Sequence, residues 1–116
     1  MRNDKENLIV KLSMEFALDI IAFSELLEEN KKFVIARQLL KSGTSIGANI
    51  REAQNAESKI DFVHKMKIAA KEADETGYWL TLCKMSKNYP FENSLDEKLQ
   101  SIIFILSKII STSKSH

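Results

Sequence analysis

Residues 36–53 read ARQLLKSGTSIGANIREA and predict an amphipathic helix. Its small and aliphatic residues share one broad face, at Ala36, Leu39, Leu40, Gly43, Ile46, Gly47, Ile50 and Ala53. The opposite face carries Arg37, Lys41, Thr44 and Arg51. Gly43 and Gly47 each cost about 1 kcal/mol of helix propensity relative to alanine. Because they lie four residues apart, we predict that another helix backbone approaches closely there.

Similar apolar spacing extends outward and predicts four helices, at about 5–29, 32–56, 59–87 and 94–112. Ser58 with Asp61, and Ser94 with Glu97, are typical of helix N-termini. The interruptions are short, and 88–92 contains the single proline of the chain. We therefore predict one domain over residues 1–116, an all-α antiparallel up-and-down four-helix bundle.

The helices carry more apolar surface than one bundle core requires. The first helix has a second apolar stripe, on a different side of the helix from its core stripe, that includes Val10, Met14 and Ile21. In the third helix, Tyr78, Trp79 and Leu82 occupy directions that are polar earlier in the same helix. These six side chains predict contacts between subunits of a homo-oligomer.

Composition and cysteine content indicate the compartment. The chain has 116 residues, 44% of them hydrophobic, and one cysteine, so no internal disulfide is available. The amino-terminal apolar residues are broken by Lys11 and Glu15, unlike a signal peptide. The longest apolar run, 102–106, is far shorter than the roughly 20 residues that cross a bilayer. We expect a cytoplasmic protein without a membrane partner.

The sequence offers little for catalysis or for a cofactor. Asp61-x-x-His64 is one element of a di-iron motif that requires two. Cys83 has no histidine near it in sequence and is interpreted as a small buried side chain. The run KSGTSIG, 41–47, lacks the Gly-Lys-Ser/Thr ending of a phosphate loop. We predict no catalytic residues, no metal site, no cofactor and no enzymatic activity.

Charge is unevenly distributed along the chain. The formal net charge is +1, yet residues 31–71 carry nine basic and three acidic residues. If the second and third helices lie side by side, Arg37, Lys41, Arg51, Lys67 and Lys71 form a surface for RNA or DNA phosphates. A solvated face explains the same residues equally well. No aromatic residues interleave with these bases as on a stacking platform.

The run from Gln38 to Ala53 resembles the signature of the four-helix bundle proteins encoded in bacterial 23S rRNA intervening sequences. The similarity continues through Ala56, Ser58, Asp61-Phe62, Lys65, Ile68-Ala69, Lys71-Glu72-Ala73, Glu75-Thr76 and Tyr78-Trp79-Leu80. This resemblance implies a homopentameric barrel. A related branch serves as accessory proteins of diversity-generating retroelements and binds nucleic acid and a reverse transcriptase.

The residues and the resemblance together favour a non-enzymatic oligomer that binds structured RNA through phosphate contacts. The alternative is a protein-interaction scaffold whose charges only keep the oligomer in solution. In that case the partner is another protein, and charge reversal on the second helix leaves partner binding intact.

Overall fold

A computed structural model describes residues 4–114, and within them the predicted four-helix bundle is confirmed. The helices are α1 (Asp4–Glu29), α2 (Phe33–Ala53), α3 (Lys59–Met85) and α4 (Asn93–Lys114). Among these residues each helix packs against its two neighbours in the order α1, α2, α3, α4, and α4 returns to α1. The bundle measures 48 × 20 × 19 Å.

The interior is built from aliphatic and aromatic side chains of all four helices. Its largest fully buried side chains are Ile9, Phe16, Ile20, Phe23, Leu27, Leu39, Ile46, Ile50, Met66, Leu80, Leu95 and Leu99. In α1 the buried stripe also includes Ser13 and Ser24, and it begins at Ile9, whereas Leu8 is exposed. A pattern based on apolar residues alone misses these two serines, because a small polar side chain fits where helices approach closely.

Local hydrogen bonds explain where the helices begin and end. The N–H of Lys31 donates to the Glu28 carbonyl and that of Lys32 to the Leu27 carbonyl, both at 2.8 Å, which closes α1. Lys31 has a φ of 64°, in the left-handed region. At α3, the Ser58 hydroxyl accepts from the Asp61 N–H at 3.0 Å, the N-terminal cap that the sequence predicts.

The other helix ends differ from the predicted ones by one to three residues. α2 ends at Ala53 rather than near residue 56, because the next N–H groups bond to the third residue back: Asn55 to Glu52 and Ala56 to Ala53. α3 ends at Met85, since Ser86 is extended. α4 begins at Asn93, so Ser94 lies inside the first turn instead of capping it. None of the four described helices has a long enough apolar stretch to span a membrane.

Candidate nucleic-acid interface

The basic middle of the chain lies on two neighbouring antiparallel helices. Ser42 of α2 and Thr76 of α3 are in hydrogen-bond contact, with their hydroxyl oxygens 3.0 Å apart. Further along, Lys65 Nζ of α3 lies 2.9 Å from Glu52 Oε1 of α2. As the residue number rises on α2 it falls on α3. The outward faces of the two helices therefore form one continuous side of the bundle.

The five predicted phosphate contacts are all exposed on α2 and α3. On α2, Arg37, Lys41 and Arg51 lie opposite the buried residues, at about 100° per residue around the helix. On α3, Lys67 and Lys71 lie opposite its buried residues in the same way. None of these five cations forms a salt bridge with a described residue. Their charges thus remain available to a ligand.

Acidic side chains divide this cationic surface at the contact between α2 and α3. Glu52 neutralises Lys65, and the hydrogen bond from Lys65 to its carboxylate raises the pKa of Lys65. Glu72 lies within electrostatic reach of Lys41. Burial and the neighbouring charge of Glu75 raise the pKa of Glu72, and Lys41 counters part of that increase. The surface is therefore a set of separate cations rather than one uniform patch.

The structure puts the predicted subunit contacts in two different environments. Met14, Ile21 and Tyr78 are exposed, with 55%, 40% and 58% of their surfaces accessible. Val10, Trp79 and Leu82 are partly buried, and Val10 and Trp79 pack against the core of their own chain. The Trp79 indole Nε1–H donates to Glu75 Oε2 at 3.1 Å, and its ring contacts Tyr78 edge-on.

A groove of about 440 Å³ runs between α1 and α2. Its walls come from Val10, Met14 and Ala17 on one side and from Thr44, Gly47, Ala48 and Arg51 on the other. Arg51, predicted to contact phosphate, thus shares a groove with Val10 and Met14, predicted to contact another subunit. Sequence patterns did not indicate this overlap, because the two helices contribute to it from residues far apart in the chain.

Sequence reasoning missed several exposed apolar side chains. The largest exposed fractions among them belong to Ile60, Met85, Val34 and Leu18. Val34 and Met85 lie on α2 and α3 near the chain connections, and Leu18 is on the outer side of α1. The helical period places all four opposite the buried residues of their helices, and none of them has a role in the predictions from sequence.

The residues considered for chemistry lie in regular helices. Cys83 is buried, and burial raises the pKa of its thiol to about 11. Residues 41–47 form regular helix, where the hydroxyls of Thr44 and Ser45 donate to the carbonyls of Leu40 and Lys41 at 2.7 and 2.6 Å. In the part of the chain that the structure describes, no three His, Cys, Asp or Glu side chains converge on a possible metal site.

Comparison with known families agrees with this architecture. The family model of the 23S rRNA-intervening sequence protein matches residues 5–111. The chain belongs to this family. This chain is similar to a family member of known crystal structure, with 44% sequence identity and a TM-score of 0.86. The similarity covers 92% of this chain and 98% of that chain. That relative is a protein of unknown function from the S23 ribosomal protein family of Bacteroides thetaiotaomicron VPI-5482. No curated protein matches the chain.

Proposed function

We propose that this 23S rRNA-intervening sequence protein is a non-enzymatic homo-oligomer that binds structured RNA through its phosphates. The contacts are made by Arg37, Lys41, Lys67 and Lys71 on the open faces of α2 and α3, with Arg51 at the edge of the α1–α2 groove. The observation that carries this proposal is that all five cations are exposed on adjacent helices and have no salt-bridge partner among the described residues.

The chemistry of these residues favours phosphate over base recognition. Lysine is a compact point charge, and three of the five residues are lysines. Along the middle of α2 and α3 the exposed cations are interspersed with acidic and small polar residues, whereas exposed apolar side chains such as Val34, Ile60 and Met85 lie near the helix ends. Separate cations of this kind suit contacts to phosphates. Repetition of the surface in an oligomer multiplies the number of phosphates contacted.

The proposed assembly is the homopentamer that the family resemblance implies. Support comes from apolar groups on two different faces: Val10, Met14 and Ile21 beside the α1–α2 groove, and Tyr78, Trp79 and Leu82 on α3. A contact between two unlike faces joins copies head to tail and closes into a ring when the rotation between copies allows it. Native mass spectrometry measures the stoichiometry, and a monomer at working concentration would contradict this part of the proposal.

The test of RNA binding is a titration of the purified oligomer with a fluorescent RNA hairpin at several salt concentrations. Each phosphate that the protein neutralises adds about 0.9 to the slope of log affinity against log salt, so we expect a steep fall in affinity. A triple substitution, Arg37→Glu, Lys41→Glu and Arg51→Glu, should abolish hairpin binding. An unchanged affinity in this variant, or a flat salt response, contradicts the proposal.

A matched variant controls for net charge alone. Lys5→Glu, Lys11→Glu and Lys108→Glu produce the same change of charge on exposed lysines of α1 and α4. We expect this control to retain most of its hairpin affinity. The alternative function is a scaffold for another protein. It predicts that neither triple variant changes the affinity for the hairpin RNA and that both variants still capture the protein partner.

A further inference from the structure

One end of the bundle brings together lysines and aromatic rings from two chain connections and the last turn of α3. The connection between α1 and α2 covers residues 30–32, and that between α3 and α4 covers 86–92. Lys32 Nζ lies 4.8 Å from the centroid of the Tyr89 ring. Lys84 Nζ lies 5.7 Å from the centroid of the Phe91 ring. We call Lys32, Lys84, Tyr89 and Phe91 the loop-end cluster.

The rings of the loop-end cluster are anchored rather than free. Tyr89 and Phe91 are partly buried and pack against the hydrophobic core on either side of Pro90. The 30–32 connection is closed by the two backbone hydrogen bonds that end α1, which fixes the position of Lys32. Phe33, at the start of α2, adds a ring with 48% of its surface exposed. A ligand therefore meets a preformed surface.

Charge at this end is close to balanced, unlike the outer surface of α2 and α3. Exposed Lys31 and Lys87 extend the cluster, while Glu28, Glu29 and Glu92 are exposed in the same connections and helix ends. Phosphate attraction alone is therefore weak here. The feature that sets this end apart is that two ring–ammonium pairs meet here, whereas the described part of α4 has a single one. Proteins bind unpaired bases and their backbone with rings and cationic groups placed together.

We propose that the loop-end cluster binds unpaired nucleotides of RNA: a base takes the place of the lysine ammonium over the ring of Tyr89 or Phe91, and the displaced Lys32 or Lys84 holds an adjacent phosphate. This inference rests on the proposed RNA-binding function and adds the part of the RNA that is contacted at this end. Sequence patterns did not indicate this site, because Tyr89 and Phe91 lie outside the basic segment 31–71 and Tyr89 reaches Lys32 only in the folded chain.

The experiment compares a labelled single-stranded RNA of about 12 nucleotides, within the usual range for stacking sites, with a hairpin RNA, using the full-length protein. The variant is Tyr89→Leu with Phe91→Leu, which keeps apolar volume against the core but removes the ring faces. Because stacking is sequence-tolerant and strong, we expect single-strand affinity to fall roughly tenfold or more and hairpin affinity to stay unchanged. Melting temperature and native mass verify folding and assembly.

A matched control lies elsewhere on the bundle. Lys108 Nζ is 5.2 Å from the Phe104 ring centroid on α4, so Phe104→Leu also removes a ring paired with a lysine. We expect it to leave single-strand affinity unchanged. A second variant, Lys32→Ala with Lys84→Ala, leaves the rings in place and should weaken single-strand binding less than the loss of the rings.

The outcomes separate this inference from the proposed function. Equal single-strand affinity in wild type and in Tyr89→Leu/Phe91→Leu overturns the loop-end site, as does an equal loss in Phe104→Leu. Hairpin binding that depends on Arg37, Lys41 and Arg51 can persist in either case, and the proposed function then stands. Ring-dependent single-strand binding without any hairpin binding supports the loop-end site and contradicts the proposed function.

Discussion

Helix α2 contacts its two neighbours by different physical means. Toward α1 it presents glycines: a Cβ added to Gly43 would lie 2.8 Å from Cγ2 of Ile20, and one on Gly47 would lie 3.4 Å from the Ser13 carbonyl oxygen. Toward α3 it presents polar groups, the buried Ser42–Thr76 pair and the exposed Glu52–Lys65 pair. One contact depends on steric fit, and the other on hydrogen bonds at defined positions.

The polar pair shows why the α2–α3 contact has a single register. Thr76 Oγ1 lies 2.7 Å from the Glu72 carbonyl oxygen and 3.0 Å from Ser42 Oγ, and both residues are fully buried. A hydroxyl carries one hydrogen, so when Thr76 donates to the carbonyl, Ser42 donates to Thr76. Shifting one helix along the other would separate the two hydroxyls, which would stay buried without the hydrogen bond between them.

Gly43→Ala is the strongest test of the steric contact. The new Cβ would overlap Cγ1 and Cγ2 of Ile20, a fully buried side chain, so the core must shift. Overpacking of this kind costs about 1–3 kcal/mol, and the gain in helix propensity of about 1 kcal/mol offsets only part of it. We expect the free energy of unfolding, measured in urea, to fall by up to about 2 kcal/mol.

A double-mutant cycle identifies Ile20 as the cause. Ile20→Ala removes the two carbons that Gly43→Ala would meet, so the double variant should be more stable than the sum of the single losses predicts. Strict additivity of the two changes would show that the loss at Gly43 arises elsewhere.

Thr76→Val tests the hydrogen-bonded contact. Valine keeps the shape of threonine but leaves the buried Ser42 hydroxyl without its partner, which costs about 1 kcal/mol or slightly more. Adding Ser42→Ala removes the stranded hydroxyl, so the double variant should recover part of that loss. Thermal unfolding of the four proteins in the cycle measures it. A wild-type stability for Thr76→Val would mean that this pair contributes nothing to the α2–α3 contact.

Gly47→Ala should have the opposite sign to Gly43→Ala. At Gly47 the nearest atoms to an added Cβ are the Ser13 carbonyl oxygen at 3.4 Å and its Oγ at 3.5 Å, ordinary contact distances. Alanine then adds helix propensity without overlap, and we expect a gain of about 0.5 kcal/mol in urea unfolding. A loss as large as that of Gly43→Ala would place the close approach of α1 and α2 at both glycines.

Most of the fold was predictable, because the apolar spacing and the short breaks specify four helices and their order. The sequence did not distinguish Gly43 from Gly47. Both stand on the same face, and the difference depends on which atom of α1 faces each one: the branched side chain of Ile20 or the backbone of Ser13. The α2 C-terminus was misplaced because its last turn tightens without any glycine or proline to mark it.

The candidate site was predictable only as a set of exposed cations. Helical spacing identified Arg37, Lys41, Arg51, Lys67 and Lys71 as outward-facing, since side-chain direction follows from position in the helix. Helical spacing did not reveal that Glu52 forms a salt bridge with Lys65 or that Arg51 lines the α1–α2 groove. Those relations depend on the alignment of neighbouring helices, which single-chain periodicity does not contain.

Glu52→Gln should give the smallest effect and sharpen the polar side of the comparison through its pH dependence. The partner carboxylate raises the folded-state pKa of Lys65 above 10.5, so the pair stabilises the fold below that pH and loses its contribution as the pH rises through the raised pKa. Both groups are accessible to solvent, so the loss at neutral pH is smaller than for the other variants.

Lys98 and Asp19, joined at 2.6 Å between α4 and α1, behave alike in both proteins and cancel in the difference. The difference in unfolding free energy between wild type and Glu52→Gln should therefore be present at pH 7 and shrink above pH 10.5. A difference that stays constant over this range would show that Lys65 and Glu52 do not interact as a charged pair.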